Sequence, residues 1–402
     1  MTGRAVVAAI LIAMVAPGVA RAQTIEEQQW HLAALDVATA HATTRGDGVV
    51  VAVVDSGVDD TRPDLGGALL PGAGFGSAAG TDGTEDNDGH GTAMATLIAG
   101  RAVDGGALGV APGAMILPVS VGADGDKFTT ASVAEGVTWA VDHGADVVNL
   151  SLTSLATLTP DLLRAVNYAF DHDAVVVAGT GNDGDEHVGA PANIKGVIAV
   201  SGTVEGNGPW PESNTGPETV LAAPAKRIVT AVPPKVVDTG YAEVDGTSAA
   251  TALVSGAAAL VRARYPDLDA GNVVNRLVTT ATDLLAPGRD NATGFGLVNP
   301  VAALTAEVPP VQRNPLLPPP RTSSAETPPS SAEEGLAVPP PPTAVDGGTR
   351  LLVAFGGLTA VGAVVAVVSL LLARRSRIRR APVPVVTEIP PPSDDFWRND
   401  RF

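Results

Sequence analysis

The segment VAVVDSG, residues 51–57, begins with four apolar residues, and three of them are β-branched valines. An apolar run of this kind predicts a strand that is covered on both faces, as in a parallel sheet. The run ends at the carboxylate of Asp55, and the small residues Ser56 and Gly57 follow as a turn. The segment therefore predicts a buried strand with a charged group at the carboxyl edge of the sheet, where parallel α/β folds bind their ligands.

The same pattern recurs along the next 230 residues. Including the first strand, apolar runs predict strands at residues 49–54, 115–121, 146–150, 174–178, 196–200 and 219–222. Helical patterns lie between or after them, at residues 92–100, 131–143, 160–171, 249–265 and 270–280. Strands that alternate with helices predict an α/β fold with a doubly wound, mostly parallel sheet flanked by helices.

Two more segments carry chemistry, DGHGT at residues 88–92 and GTSAA at residues 246–250, and each opens a predicted helix. A serine hydroxyl is a weak nucleophile and needs a base in hydrogen-bond contact. An imidazole serves as that base, and a buried carboxylate fixes its tautomer and stabilises its charged form. Each segment alone has a commoner structural meaning, such as a helix cap. Their combination in one order predicts a catalytic triad of Asp55, His90 and Ser248 in a serine endopeptidase.

Acyl transfer also needs donors for the negative charge that develops on the carbonyl oxygen. The segment VAGTGN, residues 177–182, runs from a predicted strand into a glycine-rich turn that presents the Asn182 amide. Ser248 lies at a predicted helix N-terminus, where backbone N–H groups are unpaired and the helix dipole favours negative charge. We therefore expect Asn182 and the Ser248 N–H group to bind the oxyanion.

These segments resemble the D-[ST]-G, H-G-T and G-T-S-x-A signatures of the subtilisin-like serine proteases, over residues 48–304. Asn182 falls where that family carries its oxyanion asparagine. The resemblance implies a protein or peptide substrate bound along Ser151, Leu152, Thr153 and Gly179. It implies catalysis without a metal or cofactor.

The sequence departs from the family pattern at two places near these segments. Thr153 replaces the glycine of the usual Ser-Leu-Gly, which adds bulk beside the substrate strand. Ala252 replaces the usual proline four residues after the serine, and we expect a slightly looser helix start. Between the first two signatures lies an acidic loop with Asp82, Glu85, Asp86 and Asp88. It lacks the ordered spacing of a calcium loop, so a solvated loop beside the cleft is the favoured interpretation over a calcium site.

Both ends of the chain carry membrane signals. Residues 1–22 contain Arg4, an apolar run at residues 5–15 and an A-x-A site at residues 20–22, which is typical of a cleaved signal peptide. Residues 351–373 contain no charged residue and are long enough for a transmembrane helix. An arginine-rich stretch at residues 374–380 follows, so we expect the C-terminus inside and the rest of the chain outside. These signals predict a single-pass protein of the cell membrane.

The remaining segments complete the predicted organisation. We expect an N-terminal extension at residues 23–47 that packs on the peptidase domain of residues 48–305. A proline-rich linker, residues 306–349, leads to the membrane helix, and residues 374–402 form a short cytoplasmic tail. This whole arrangement resembles the mycosins, the membrane-anchored subtilases associated with type VII secretion in actinobacteria, and it implies membrane components of that system as partners. Two alternatives remain, a structural component of a secretion complex with dispensable catalysis and a general degradative surface protease.

Composition excludes several other functions. The 402 residues carry a formal net charge of −18 and a pI near 4.6, whereas a nucleic-acid-binding protein presents a basic face. The chain contains no cysteine, which excludes disulfides, thiolate metal sites and a cysteine nucleophile.

Overall fold

The computed structural model describes residues 23–122, 128–154 and 158–318. The predicted signal peptide, the predicted membrane helix, the cytoplasmic tail and most of the proline-rich linker lie outside these residues. Within the described ranges, no helix combines the length and the apolar character that a membrane crossing requires.

The described ranges contain nine α-helices and nine strands, together with short 3₁₀ turns at Pro63–Leu65, Gly76–Ala78 and Val103–Gly105. In chain order the α-helices and strands are α1 (Ile25–Gln28), α2 (Trp30–Ala34), α3 (Val37–His41), β1 (Val50–Asp55), β2 (Ala73–Gly74), α4 (His90–Ala99), β3 (Met115–Ser120), α5 (Thr130–Asp142), β4 (Val147–Leu150), α6 (Pro160–Asp171), β5 (Val175–Gly179), β6 (Ile198–Thr203), β7 (Leu221–Pro224), β8 (Ile228–Ala231), β9 (Tyr241–Val244), α7 (Thr247–Arg264), α8 (Ala270–Thr279) and α9 (Pro300–Thr305).

Seven strands form one parallel sheet in the order β2-β3-β1-β4-β5-β6-β7. This sheet, with helices packed against it, confirms the predicted α/β class. The strands are almost entirely buried, which explains why their sequences read as continuous apolar runs rather than alternating ones. A separate antiparallel hairpin of β8 and β9, with Ile228 opposite Val244, was not predicted.

The helices that flank the sheet pack in two groups. From β1 the chain passes through the short edge strand β2 and then through α4 to β3, and from β3 it crosses through α5 to β4 on the other side of β1. Helix α4 packs with α7, and α5 packs with α6. The chain reverses its winding direction at β1, and open α/β sheets bind ligands at such a point.

Helix α7 is the centre of the core. Its residues from Thr247 to Arg262 are all buried, and it contacts β4, β5, β6 and β7 as well as α4. Small residues, mostly alanine, allow this close approach on every side. Ala252 is fully buried, and the helix continues without interruption from Thr247 to Arg264.

The N-terminal extension packs against the rest of the domain through α1 to α3. The buried Gln29 side chain donates from Nε2 to the carbonyl oxygens of Leu108 and Val229, at 3.1 Å each. Its Oε1 accepts from the Leu108 N–H group at 2.8 Å. The Trp30 indole donates to the carbonyl oxygens of Lys226 and Arg227 at 3.2 and 3.0 Å. The extension is therefore fastened to the start of β8 and to the loop at Leu108.

Candidate active site

Three neighbouring strands bring the predicted site residues to one edge of the sheet. Asp55 is the last residue of β1, Ser151 follows the last residue of β4, and Gly179 is the last residue of β5. In the register of β1 with β4, Val53 pairs with Asn149. Two residues further along each strand, Asp55 and Ser151 lie at the same level, at about the 4.8 Å spacing of neighbouring strands. The carboxyl edge of the sheet therefore carries these groups side by side.

The Asp55 carboxylate holds the His90 imidazole. Oδ1 of Asp55 lies 2.7 Å from Nδ1 of His90 and also accepts from the Ser56 N–H group at 2.8 Å. Asp55 is fully buried, and His90 is 8% exposed. Because an ionised carboxylate only accepts, Nδ1 of His90 carries the proton, and the neutral imidazole then presents Nε2 as the basic nitrogen.

Opposing effects set the pKa of His90. Burial lowers this pKa, because it removes water from the charged imidazolium. The charge of Asp55 and its hydrogen bond raise the pKa, with smaller contributions from the charges of Asp88 and Asp86, and the net result is a raised pKa. The site therefore stabilises the imidazolium that forms when His90 accepts a proton.

Ser248 is the second residue of α7 and is 6% exposed. Its hydroxyl donates to the Ser151 carbonyl oxygen at 3.1 Å. In return the Ser151 hydroxyl donates to the Ser248 carbonyl oxygen at 3.0 Å. The Asn149 amide donates to the Ser151 hydroxyl at 2.9 Å, so β4 and the first turn of α7 are linked by consecutive hydrogen bonds. These bonds fix Ser248 at the same sheet edge as Asp55.

The Asn182 amide has one defined orientation. Its Oδ1 accepts from both the N–H group and the hydroxyl of Thr247, at 2.9 Å each. Because a backbone N–H can only donate, the accepting atom is the oxygen, and Nδ2 with its two hydrogens points elsewhere. A Cβ atom on Gly246 would lie 3.5 Å from Nδ2 of Asn182 and 3.7 Å from the Ser248 nitrogen. The two donors therefore border the same small space, which stays open because residue 246 is a glycine.

The predicted substrate segment has buried side chains. Ser151 and Leu152 are 1% and 2% exposed, and Thr153 is 8% exposed. The Thr153 hydroxyl donates to the Gly179 carbonyl oxygen at 2.9 Å, and its methyl group fills the space beside Gly189. Any contact of this segment with a peptide would therefore come mainly from its backbone.

One part of the acidic loop fits the solvated interpretation, and another part does not. Asp82 is exposed and binds the N–H group and hydroxyl of Thr84, which suits a solvated loop. Asp86 instead is fully buried and accepts five hydrogen bonds. In the described part of the chain, no group of three or more His, Asp or Glu side chains could hold a metal ion.

Sequence reasoning did not find the residues that support the site, namely Ser56, Asp86 and Thr247. Ser56 and Thr247 lie within the quoted motifs, each next to a predicted catalytic residue. Asp86 lies four residues before His90, and its proximity to the motif is the one signal the sequence offered.

A doubly wound sheet with these groups at its carboxyl edge defines a serine peptidase of the subtilisin type. The profile of the Subtilase family matches residues 46–296, and the chain belongs to that family.

Individual relatives agree with this assignment. Subtilisin BL from Lederbergia lenta is 38% identical over 276 residues, which cover 68% of this chain and 97% of that protein. The structure of the MycP3 protease from the type VII (ESX-3) secretion system is 32% identical with a TM-score of 0.61, over 72% of this chain and 90% of the other. A structure of MycP1, a serine protease and essential component of the type VII (ESX-1) secretion system, is 33% identical with a TM-score of 0.61, over 72% and 91%. The mycosin proteases are thus structural neighbours of this chain.

Proposed function

We propose that this subtilase is an endopeptidase whose catalytic triad is Ser248, His90 and Asp55. The observation that carries the proposal is the 2.7 Å hydrogen bond between Asp55 and His90, at the sheet edge where Ser248 begins α7. Ser248 is the nucleophile, His90 the general base and then the general acid, and Asp55 orients the imidazole and stabilises its charge.

The reaction proceeds in two half-reactions. The Ser248 hydroxyl rotates from the Ser151 carbonyl to Nε2 of His90, transfers its proton there, and its oxygen bonds to the scissile carbonyl carbon. The C–N bond then breaks, and His90 gives the proton to the leaving amine. Water, with its proton taken by His90, attacks the acyl-enzyme ester. The ester C–O bond breaks, and the proton returns to Ser248 with release of the new carboxyl terminus.

The developing oxyanion is held by Nδ2 of Asn182 and the N–H group of Ser248. The two donors border one open space, and Oδ1 of Asn182 is already fixed by Thr247, so no reorganisation is needed during the reaction. The peptide lies along the backbone of residues 151–153 and Gly179, as an added strand. Loss of one such oxyanion donor typically costs about 10²- to 10³-fold in kcat.

A fluorophosphonate probe and a peptidase assay test the triad in the full-length chain. Ser248→Ala should abolish covalent labelling and lower kcat by about 10⁶-fold, as for removal of a nucleophile that acts with its base. Ser77→Ala, which changes an exposed serine outside the site, serves as the matched control and should label like the wild type. A wild-type chain that neither labels nor cleaves, or a Ser248→Ala chain that still labels, would refute the proposal.

The peptidase is further proposed to be anchored in the cell membrane with its catalytic domain outside. This part rests on the apolar stretch at residues 351–373, the arginines at residues 374–380 and the N-terminal signal pattern. The absence of cysteine makes a direct topology test available. A Ser323→Cys chain in intact cells should react with a membrane-impermeant maleimide, and a Ser393→Cys chain should react only after lysis. The reverse pattern would disprove this orientation.

The structural similarity to MycP1 and MycP3 supports a place in type VII secretion. A second function follows from the same similarity, because MycP1 is described as an essential component of its secretion system. The peptidase domain would then act as a structural part of the complex, whether or not it cleaves. Comparison of Ser248→Ala with deletion of residues 48–305 separates the two functions. Loss of complex assembly only in the deletion supports the structural function, and loss of cleavage with intact assembly in Ser248→Ala supports an independent catalytic one.

A further inference from the structure

Asp86 is a buried carboxylate that the proposed reaction does not use. It is fully buried, and both of its oxygens are occupied. Oδ1 accepts from the Ser56 hydroxyl at 2.9 Å, from the Gly89 N–H group at 2.7 Å and from the Asp88 N–H group at 3.2 Å. Oδ2 accepts from the N–H group and the hydroxyl of Thr92 at 2.9 and 2.6 Å. Five neutral donors therefore hold this carboxylate.

No cation compensates the charge of Asp86 in the part of the chain that the structure describes, because no ion pair there includes it. A buried carboxylate without a cation is costly, and such a group stays in a fold only where its hydrogen bonds satisfy it. Burial raises the pKa of Asp86, and the hydrogen bonds from Thr92, Gly89 and Ser56 oppose that rise. The cost of this arrangement suggests a function that a neutral residue would not supply.

The donors come from both sides of the Asp55–His90 pair. Ser56 directly follows Asp55 on the strand side, whereas Gly89 and Thr92 lie on either side of His90 on the helix side. The Ser56 hydroxyl also accepts from the Gly91 N–H group at 2.9 Å. Asp86 is thus bonded to the neighbours of the carboxylate and to the neighbours of the imidazole at the same time.

The same bonds form the N-terminus of α4. Its cap residue, Gly89, has no side chain, and its φ of 93° is in the left-handed region that glycine tolerates. Ser56 and Asp86 accept from the N–H groups of Gly91 and Thr92, two of the donors that a helix start leaves unpaired. A full negative charge at this end also interacts favourably with the helix dipole. The first turn of α4, and with it the His90 backbone, is therefore fixed from outside the helix.

We infer that Asp86 is a positioning residue of the peptidase. Through its bonds to Ser56, Gly89 and Thr92, it keeps the Asp55 carboxylate and the His90 imidazole within hydrogen-bond distance of each other. The inference rests on the proposed triad. The negative charge of Asp86 acts on the imidazolium in the same direction as the charge of Asp55. Asp86 itself touches neither substrate nor reacting atoms.

The variant Asp86→Asn keeps the shape of the side chain and removes its charge. One acceptor oxygen becomes an NH₂ group, which cannot accept from Thr92 or from Ser56 and Gly89. Since small misplacements of catalytic groups are costly, kcat should fall by about 10²-fold with little change in KM. The loss of negative charge disfavours the imidazolium, so the acid limb of the kcat/KM profile should move to lower pH.

Asp82→Asn is the matched control. Asp82 lies on the same acidic loop and accepts the same kind of hydrogen bonds, from the N–H group and hydroxyl of Thr84, but it is exposed. Its substitution should leave kcat and the acid limb unchanged. A merely structural role for Asp86 predicts a different result: a lower melting temperature, unchanged kcat for the folded fraction, and an acid limb that moves to higher pH as the chain unfolds. That result would overturn the inference.

Two further measurements keep the test decisive. Ser56→Ala removes only the bridge between Asp86 and the Gly91 N–H group. It should lower kcat by a smaller factor than Asp86→Asn does. If Asp86→Asn does not fold, an unchanged kcat in Ser56→Ala refutes the inference. Titration of the His90 imidazole by NMR in the Ser248→Ala chain, with and without Asp86→Asn, needs no activity. A wild type without activity would contradict the proposed function, whereas an unmoved His90 pKa would contradict the position assigned to Asp86.

Discussion

The sheet edge at β1 and the N-terminal extension each contain one deeply buried histidine, and the pKa values of the two histidines are shifted in opposite directions. His90 pairs with Asp55, and its pKa is raised. His31 in α2 is fully buried, and neither ring nitrogen has a hydrogen-bond partner among the described residues. Burial lowers the pKa of His31 to about 3. Both imidazoles are buried, so the presence or absence of a carboxylate partner decides whether the pKa is raised or lowered.

The two regions therefore respond oppositely to protons. At the sheet edge, the charge of Asp55 makes protonation of His90 easier, which general-base catalysis requires. In the extension, protonation of His31 would place an unpaired cation in an apolar interior, and the docked state resists it. The chain thus uses one residue type for chemistry in one place and for packing in another.

The largest expected effect comes from removal of the partner of His90. Asp55→Asn keeps the volume but replaces an ionised acceptor with a neutral amide, so the imidazolium loses its stabilisation and the Nδ1 proton its fixed position. By analogy with triad carboxylates in serine proteases, kcat should fall by about 10⁴-fold. Peptidase assays with thermal unfolding as a check of the fold measure this. Asp142→Asn, at an exposed carboxylate at the end of α5, should keep full activity. A loss below about tenfold in Asp55→Asn would show that His90 does not depend on this partner.

The sequence predicted the peptidase core well and the peripheral elements poorly. Each long strand was predicted within three residues at either end, because continuous apolar runs specify buried parallel strands directly. The short helices α1 to α3 were missed, since segments of four or five residues are not stable alone and depend on contacts such as Gln29 with Leu108. The hairpin of β8 and β9 was missed because nine residues separate its strands, without the tight turn that signals a hairpin.

In the candidate site, too, the sequence predicted some features and missed others. The structure brings Asp55 and His90 together as the motifs predicted, because short signatures at strand ends and helix starts define position well. Asp86 was treated as part of a solvated or calcium-binding loop, and its burial could not be predicted. Acidic runs are usually solvated, and the donors that satisfy Asp86 come from Ser56, thirty residues earlier, and from Thr92. The hydrogen bonds that orient Asn182 likewise come from Thr247, 65 residues away.

The next largest effect concerns His31 and stability in acid. The folded pKa of about 3 lies below the ordinary value of 6.5, so the unfolded chain binds more protons between these values. The contribution of His31 to stability is therefore complete above pH 6.5 and is lost as the pH falls below it. Between pH 7.5 and pH 5 this loss amounts to about 2 kcal/mol in the free energy of unfolding.

Urea unfolding of the wild type and of His31→Leu at both pH values measures this term. The pH dependence of the wild type should exceed that of His31→Leu by about 2 kcal/mol, because leucine fills the site without titrating. His187→Leu, at an exposed histidine, is the control and should follow the wild type. Equal pH dependence in wild type and His31→Leu would mean that His31 is reached by water or by an acidic partner in solution.

The smallest expected effect distinguishes the docking of the extension from the titration of His31. Trp30→Phe keeps an aromatic ring against the core but removes the indole N–H that donates to the Lys226 and Arg227 carbonyl oxygens. Loss of such a bond, partly exposed to solvent, should lower the free energy of unfolding by about 1 kcal/mol. Since neither indole nor carbonyl titrates in this range, the loss should be the same at pH 7.5 and pH 5, in contrast to the effect of His31→Leu. A Trp30→Phe effect that appears only in acid would show that these indole hydrogen bonds do not stabilise the folded chain at pH 7.5. It would contradict the docked position of the extension at that pH.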